Sequence, residues 1–136
     1  MMVTALYAGL LALWYLVLSI RVIRMRGTAR INLGDGGDPA MLRRIRAHAN
    51  FSEYVPLCLL LMTLLEMGHT SIYELHLIGA LLLLARVLHG IALAFTEKWL
   101  PGRFIGTLLT FFLMTLMGLQ CIWMSMHMHM VWNGGG

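Results

Sequence analysis

Residues 46–56, RAHANFSEYVP, place several charged or hydrogen-bonding side chains within little more than two helical turns: Arg46, His48, Asn50 and Glu53. An arginine guanidinium holds a carboxylate through two parallel hydrogen bonds, and neighbouring amide and carboxylate groups add acceptors and a negative charge. Such a set is suited to an anionic ligand that carries several carboxylates. The segment is therefore a candidate binding site.

Helical spacing divides these side chains between two surfaces. At about 100° per residue, Arg46, Asn50 and Glu53 fall within roughly 60° of one another. His48 falls about 200° from Arg46, on another side of the same helix. Pro56 cannot donate a helical hydrogen bond, which permits a kink just beyond the polar residues. The helix is therefore expected to present two polar surfaces to two different neighbours.

A later apolar segment contributes Arg86 and His89, one helical turn apart. Arg86 lies about 15 Å from the end of that segment. A charge at such a depth in a bilayer costs about 2.5 to 3.5 kcal/mol unless it meets a partner or a wet cavity. Glu53 reaches a comparable depth, so we predict an Arg86–Glu53 ion pair. Paired polar residues can also serve only to lock helices together, but the donors here exceed the needs of one pair.

The elements that carry these groups are expected to be membrane helices. The chain has 136 residues, of which 60% are hydrophobic and 12% charged, and crossing a bilayer requires about 20 apolar helical residues. We predict an all-α four-helix bundle that forms one domain over residues 1–132, with residues 133–136 as a tail. The predicted spans are 3–23, 41–66, 72–96 and 104–131. The first is taken as a retained span, because a signal peptide begins with positive charge.

The positive charges indicate an orientation in the membrane. The formal net charge is +4, and the arginines crowd the first predicted connection, with Lys98 and Arg103 in the third. Basic connections remain in the cytoplasm, so both termini are predicted on the non-cytoplasmic side. A nucleic-acid or phosphate patch is the less favoured interpretation. The short second and third connections predict antiparallel neighbours for the helices that they join.

Two other features carry weaker signals. Cys58 and Cys121 lie in predicted spans and indicate neither a disulfide scaffold nor a redox motif. The segment SMHMHM, residues 125–130, has side chains that suit copper. His127 and His129 point about 200° apart on a helix, so they cannot chelate an ion together. An interface at the end of the helix is favoured, and no metal site is predicted.

The motif R-x-x-R-A-H-x-N-x-x-E-Y-x-P, from Arg43 to Pro56, resembles the signature of the membrane-associated proteins in eicosanoid and glutathione metabolism, the MAPEG family. The segment IRMRGTARIN resembles the end of the family's first helix, and ARVLHG resembles part of its third. The resemblance covers nearly the whole chain. It is strongest to small bacterial members, and the key segments also align with microsomal prostaglandin synthase.

This resemblance implies a homotrimer that binds glutathione, as a co-substrate, between subunits on the cytoplasmic side of a bacterial inner membrane. The positions that match glutathione contacts are Arg24, Arg46, His48, Asn50, Glu53, Tyr54, Arg86 and His89. The implied activity is that of a transferase or peroxidase acting on apolar electrophiles or lipid hydroperoxides. The expected partners are other copies of the chain, membrane lipids and a small apolar substrate, with no nucleic acid.

The resemblance also implies a catalytic arginine at the start of helix four, which holds the glutathione sulfur as a thiolate. Arg103 matches that position if one residue is inserted after helix three, and its alternative role is that of an interfacial anchor. At Leu93 the synthases have a tyrosine that contacts glutathione. Some family members bind lipids without catalysis, so a non-catalytic scaffold stays an open alternative. A four-helix multidrug exporter is disfavoured, because residues 3–20 contain no acidic residue.

Overall fold

Four α-helices form nearly all of the chain, and the described residues contain no β-strand. The computed structural model describes the backbone of residues 2–134 and the side chains of residues 2–127. The helices are α1 (Met2–Ala29), α2 (Pro39–Met67), α3 (Ile72–Ala94) and α4 (Leu100–Gly134). The prediction of an all-α fold is confirmed.

Contacts between helix ends show that successive helices run in opposite directions. Val3 at the start of α1 donates to Glu66 at the end of α2, so these two helices are antiparallel. Arg21, late in α1, donates from Nη2 to the carbonyl oxygen of Ala94 at the end of α3, at 2.6 Å, so α1 and α3 are parallel and α2 runs opposite to both. Gln120, late in α4, donates to Glu74 at the start of α3. Among the described residues α2 and α3 each contact the other three helices, whereas α1 and α4 do not touch. The antiparallel arrangement expected from the short connections is confirmed.

The bundle has two distinct ends. Residues 30–38 and 95–99 form the end that we call the basic end, since most of the arginines lie near it. Residues 68–71 form the opposite end. Asp38 caps α2 at the basic end, where its Oδ1 accepts from the backbone N–H of Ala40 at 2.7 Å and of Met41 at 3.3 Å. Asp followed by Pro predicts a helix N-cap and the first helical residue, and the glycine-rich stretch before them predicts a turn. That turn contains three glycines with positive φ: Gly34, Gly36 and Gly37.

Helix α4 begins earlier than predicted. The sequence Trp99-Leu100-Pro101-Gly102 predicts an interfacial turn, but the helix starts at Leu100. Pro101 fits because an N–H in the first helical turn has no partner within the helix. Trp99 lies against Gly102, where an added Cβ would stand 2.6 Å from the indole. Arg103, which we had placed in the connection, therefore lies in the first turn of α4.

Within the described residues, three helices are long and apolar enough to cross a membrane: α1, α3 and α4 as far as His127. The chain is therefore an integral membrane protein. Helix α2 has 29 residues but is not apolar enough to be counted as a membrane span, because it contains the polar RAHANFSEYVP segment. It packs beside the other helices and continues through Pro56 without a break. That α2 also spans the membrane stays a prediction.

At the opposite end, polar groups pair within the subunit. The Glu66 carboxylate accepts from the backbone N–H groups of Val3 and Thr4, each at 3.0 Å, and so caps the start of α1. The Tyr7 hydroxyl donates to the carbonyl oxygen of His76 at 3.0 Å and lies 3.2 Å from Nδ1 of the same residue. These bonds fasten α1 to α2 and α3.

Candidate functional site

Arg86 is the most deeply placed charged side chain among the described residues, with 1% of its surface exposed. Its Nη1 donates to Oδ1 of Asn50 on α2 at 3.1 Å. Its Nη2 donates to the carbonyl oxygen of Gly106 on α4 at 3.0 Å. Three helices therefore meet at one guanidinium, which is placed on α3 between α2 and α4.

The predicted Arg86–Glu53 ion pair is wrong within the subunit, because Arg86 bonds to Asn50 and Gly106 instead. Asn50 and Glu53 are three residues apart, so their side chains leave α2 about 60° from each other. Only Asn50 is turned toward α3, and Glu53 is exposed on the outer surface of α2. The partners of Arg86 are neutral, so its positive charge is solvated by dipoles and is not balanced by a carboxylate.

Gly106 allows the close approach of α3 and α4 that this arrangement needs. A Cβ at Gly106 would stand 2.6 Å from the carbonyl oxygen of Ala85 and 2.8 Å from the Cβ of His89. Its own carbonyl oxygen accepts a second bond, from the Thr110 hydroxyl at 2.7 Å. The sequence analysis did not single out Gly106 or Thr110. The sequence contained a usable pattern, because Gly102, Gly106 and Thr110 are small residues spaced by four. Such spacing is typical of close contacts between membrane helices.

His89 and Tyr54 border the buried arginine. His89 is 3% exposed, on the turn of α3 that faces Gly106, and Arg103 lies about one helical turn before Gly106 on α4. Tyr54 is half-buried and packs edge-on against Phe111 of α4, with ring centroids 5.2 Å apart. The structure therefore brings four of the predicted positions into one neighbourhood: Asn50, Tyr54, Arg86 and His89.

His48 lies apart from that neighbourhood, as its position around the helix predicted. Its ring stacks on Tyr15 of α1, with centroids 4.5 Å apart, and Tyr15 also stacks on Phe51 at 5.1 Å. His48 therefore belongs to the contact between α1 and α2. In this subunit it supports the site only by holding α1 against α2.

The other predicted residues are exposed: Arg24, Arg46, Glu53 and Arg103. Arg46 and Glu53 make no hydrogen bond or ion pair with the described part of the chain. We call their surface of α2 the outer stripe. Arg24 on α1 and Arg103 on α4 belong to helices that do not touch within the described residues. One subunit therefore does not bring Arg24 and Arg103 together.

Two further positions bear on the chemistry. Leu93, where the synthases have a tyrosine, is 9% exposed and belongs to the apolar core. Among the described side chains no group of three acidic, histidine or cysteine residues is arranged to hold a metal ion. His127 stacks on Trp123, with ring centroids 6.5 Å apart, and the side chain of His129 lies outside the described residues.

Comparison with known proteins identifies the family. The model of the MAPEG family matches residues 4–123. The chain belongs to the MAPEG family. The matched region contains every proposed site residue, from Arg24 on α1 to Arg103 on α4. The resemblance of the α2 motif is therefore confirmed at the level of the family.

Named relatives of this MAPEG protein come from a bacterium. It is 35% identical over 122 residues to the inner membrane protein YecN of Escherichia coli strain K12, a match that covers 90% of this chain and 92% of that protein. YecN of Escherichia coli O6:H1, strain CFT073, matches to the same extent. Their name, inner membrane protein YecN, carries the location of these relatives in the inner membrane, and it states no reaction that they catalyse.

Proposed function

We propose that this MAPEG protein is a glutathione-dependent transferase or peroxidase of a bacterial inner membrane. In this proposal it works as a homotrimer that holds glutathione between subunits on the cytoplasmic side. Membership of the family and the location of the YecN relatives support the proposal at its coarser level. The outer stripe supports it in detail.

The observation that carries the proposal is the contrast between Arg86 and the outer stripe. Arg86 is buried and has two hydrogen-bond partners in its own subunit. Arg46 and Glu53 are exposed beside it and have none in the described chain. Ionised groups at membrane depth are normally turned toward a protein interior or a wet cavity. A second subunit packed on α2 supplies such an interior, and a ligand with charges of both signs then pairs with the stripe.

The separation of α1 and α4 also favours a site between subunits. Arg24 and Arg103 both lie near the basic end, but α1 and α4 do not touch within the described residues. A ring of subunits can place α1 of one copy beside α2 and α4 of the next. Arg24 of one subunit then completes a site with Arg46 and Arg103 of its neighbour.

Glutathione has two carboxylates, one ammonium group and one thiol. The guanidinium groups of Arg46 and Arg24 suit the carboxylates through paired hydrogen bonds, and Glu53 suits the ammonium group. Arg103 is assigned to the sulfur because it matches the family's catalytic arginine at the start of helix four. A nearby cation lowers the pKa of a thiol from its usual value of about 8.5, and each pKa unit corresponds to about 1.4 kcal/mol.

The thiolate is the nucleophile in the proposed reaction. With an apolar electrophile, the sulfur forms a bond to carbon and the leaving group departs with the electron pair. With a lipid hydroperoxide, the sulfur takes the terminal oxygen and releases the alcohol after protonation. A second glutathione then forms the disulfide and water. Arg103 stabilises the thiolate before either attack.

Arg86 contributes to this arrangement indirectly. It ties α2, through Asn50, to α4, through Gly106. Arg103 lies one helical turn before Gly106, and Glu53 lies one turn after Asn50. The buried hydrogen bonds therefore hold the outer stripe and the proposed catalytic arginine at a set separation. Such support for a binding site matters because small displacements weaken catalysis.

The test uses the full chain in lipid nanodiscs. Binding is measured by equilibrium dialysis with labelled glutathione and by thiolate absorbance, and turnover is measured with chlorodinitrobenzene and cumene hydroperoxide. Arg103→Ala is expected to keep glutathione binding and to reduce turnover by about tenfold or more, equivalent to about 1.4 kcal/mol or more. Arg46→Ala is expected to weaken binding itself. Arg30→Gln is the matched control, because Arg30 is exposed and forms no side-chain bond.

Failure of the wild-type protein to bind glutathione contradicts the proposal. Binding without turnover, together with an Arg103→Ala variant that behaves like wild type, supports the second candidate, a non-catalytic ligand-binding scaffold. Leu93 is the observation that favours this candidate, since a leucine supplies no hydroxyl for glutathione. Its burial in the apolar core also removes it from polar contact in its own subunit.

A further inference from the structure

A small polar cavity lies at the basic end, and neither Arg86 nor the outer-stripe residues Arg46 and Glu53 line it. Its volume is about 120 Å³, and its walls come from the late part of α1, the start of α2 and the residues that end α3. The polar and aromatic lining residues are Arg21, Arg43, Arg44, Phe95, Thr96 and Glu97. Pockets for drug-sized ligands have volumes of about 300 to 1,000 Å³. This cavity therefore suits one small charged group and not a whole tripeptide.

The charge of the cavity is positive. Glu97 is the one acidic residue in its lining, and Oε1 of that residue lies 3.1 Å from Nη2 of Arg43. The Glu97 side chain is 76% exposed, so its charge is largely screened by solvent. Arg44 makes no hydrogen bond or ion pair in the described chain, and its charge adds to the positive potential at Arg21. Two guanidinium groups are thus left without a counter-ion.

Arg21 is held rigidly at this cavity. Its Nη2 donates to the carbonyl oxygen of Ala94 at 2.6 Å, and its Cζ lies 4.0 Å above the ring of Phe95. The Phe95 ring in turn stacks on Trp14 of α1, with ring centroids 6.0 Å apart. The Nη1 group of the same guanidinium makes no hydrogen bond in the described chain. Its N–H groups are suited to an anionic oxygen.

We propose that this cavity binds a phosphate group, and that the phosphate comes from the headgroup of an anionic phospholipid. Its place at the basic end of a membrane bundle brings it to headgroup level, where basic pockets between helices bind such lipids. A choline headgroup carries a positive charge that the three arginines repel, so phosphatidylglycerol should be preferred to phosphatidylcholine. A soluble phosphate offers the same chemistry, and the experiment separates the two sources. The inference does not depend on glutathione.

The test counts lipids on the full chain. The protein is placed in micelles that contain equal amounts of phosphatidylglycerol and phosphatidylcholine. Native mass spectrometry then counts the lipids of each kind that stay bound to it. We expect retained phosphatidylglycerol on the wild-type protein. Arg44→Gln should lower its affinity about fivefold, equivalent to about 1 kcal/mol per arginine near the headgroups. Arg44 forms no structural bond, so this variant should fold. Arg30→Gln makes the same charge change outside the cavity and should lower affinity less than Arg44→Gln does, because it removes no guanidinium that lines the cavity.

Thermal unfolding in phosphatidylcholine nanodiscs identifies the source of the phosphate. Stabilisation of the wild type by added phosphatidylglycerol, with none from inorganic phosphate, supports a lipid headgroup. Stabilisation by inorganic phosphate that is lost in Arg44→Gln supports the same phosphate site with a soluble occupant. Equal lipid retention by the wild type and Arg44→Gln overturns the proposal. An equal loss in Arg30→Gln also overturns it, because the attraction then belongs to the whole basic surface.

Discussion

The two polar regions of the bundle use their charged groups in different ways. At the opposite end, Glu66 accepts two backbone N–H groups of α1, and Tyr7 bonds to His76. These groups fasten helices together within one subunit. In the half toward the basic end, Arg86 is similarly bonded, but the outer stripe beside it is exposed. The polar groups at the opposite end are hydrogen-bonded within one chain. Arg46 and Glu53 of the outer stripe have no partner in the described chain.

Under the proposed function, this difference separates residues that stabilise the fold from residues that bind glutathione. Substitutions of groups that are bonded within the subunit should lower the free energy of unfolding. Substitutions on the outer stripe should leave the subunit stable and act on glutathione binding. Substitution of Arg86 should lower the free energy of unfolding, because its guanidinium is bonded within the subunit. It should also affect glutathione binding, because Arg86 lies beside the outer stripe. Three substitutions test the contrast, from the largest expected effect to the smallest.

Asn50→Leu is expected to lower the free energy of unfolding by about 1.5 to 3 kcal/mol, since it removes a hydrogen-bond acceptor from a buried charged donor. Denaturant titration in mixed micelles measures this loss. Asn50→Asp keeps an acceptor for Nη1 of Arg86 and should unfold close to wild type. Wild-type stability of Asn50→Leu would show that Arg86 finds another acceptor. The double variant with Glu53→Gln then tells whether that acceptor is Glu53.

Gly106→Ala is expected to lower the free energy of unfolding by about 1 to 3 kcal/mol, because the added methyl meets backbone and not a flexible side chain. The carbonyl oxygen of Ala85 would stand 2.6 Å from the new Cβ. Gly118→Ala on the same helix is the control, since no atom lies within 4 Å of its added Cβ. The control should be neutral or slightly stabilising. Equal stability of the two variants contradicts the close contact of α3 and α4.

Glu66→Leu is expected to lower the free energy of unfolding by about 0.5 to 2 kcal/mol, the usual effect of losing a helix cap. The N–H groups of Val3 and Thr4 lose their acceptor. Glu66→Gln retains one oxygen acceptor and should lose less. Glutathione affinity, measured by equilibrium dialysis, should be unchanged in both variants. A large loss of affinity would show that the opposite end also influences the ligand site, against the contrast drawn here.

Local patterns in the sequence predicted the fold well. Hydropathy predicted four helices, and the Asp-Pro pair and the glycine-rich turn predicted where α2 begins. The division of His48 from the outer stripe followed from helical angles alone. The start of α4 was missed because proline and glycine normally indicate a turn. Both residues are tolerated inside the first turn of a helix, so only the structure shows that α4 already begins at Leu100. Trp99 packs against Gly102 in that turn.

The sequence by itself determined that the chain lies in a membrane, that α2 carries a charged stripe, and that the motif is that of the MAPEG family. These conclusions depend on composition and on spacing along one helix, both of which are local. Only the tertiary structure decided that Arg86 bonds to Asn50 and Gly106, and that Glu53 is exposed. The partner of a buried arginine depends on how neighbouring helices are rotated. A rotation of about 60° separates Asn50 from Glu53, and the packing of α2 on α3 turns Asn50 toward Arg86.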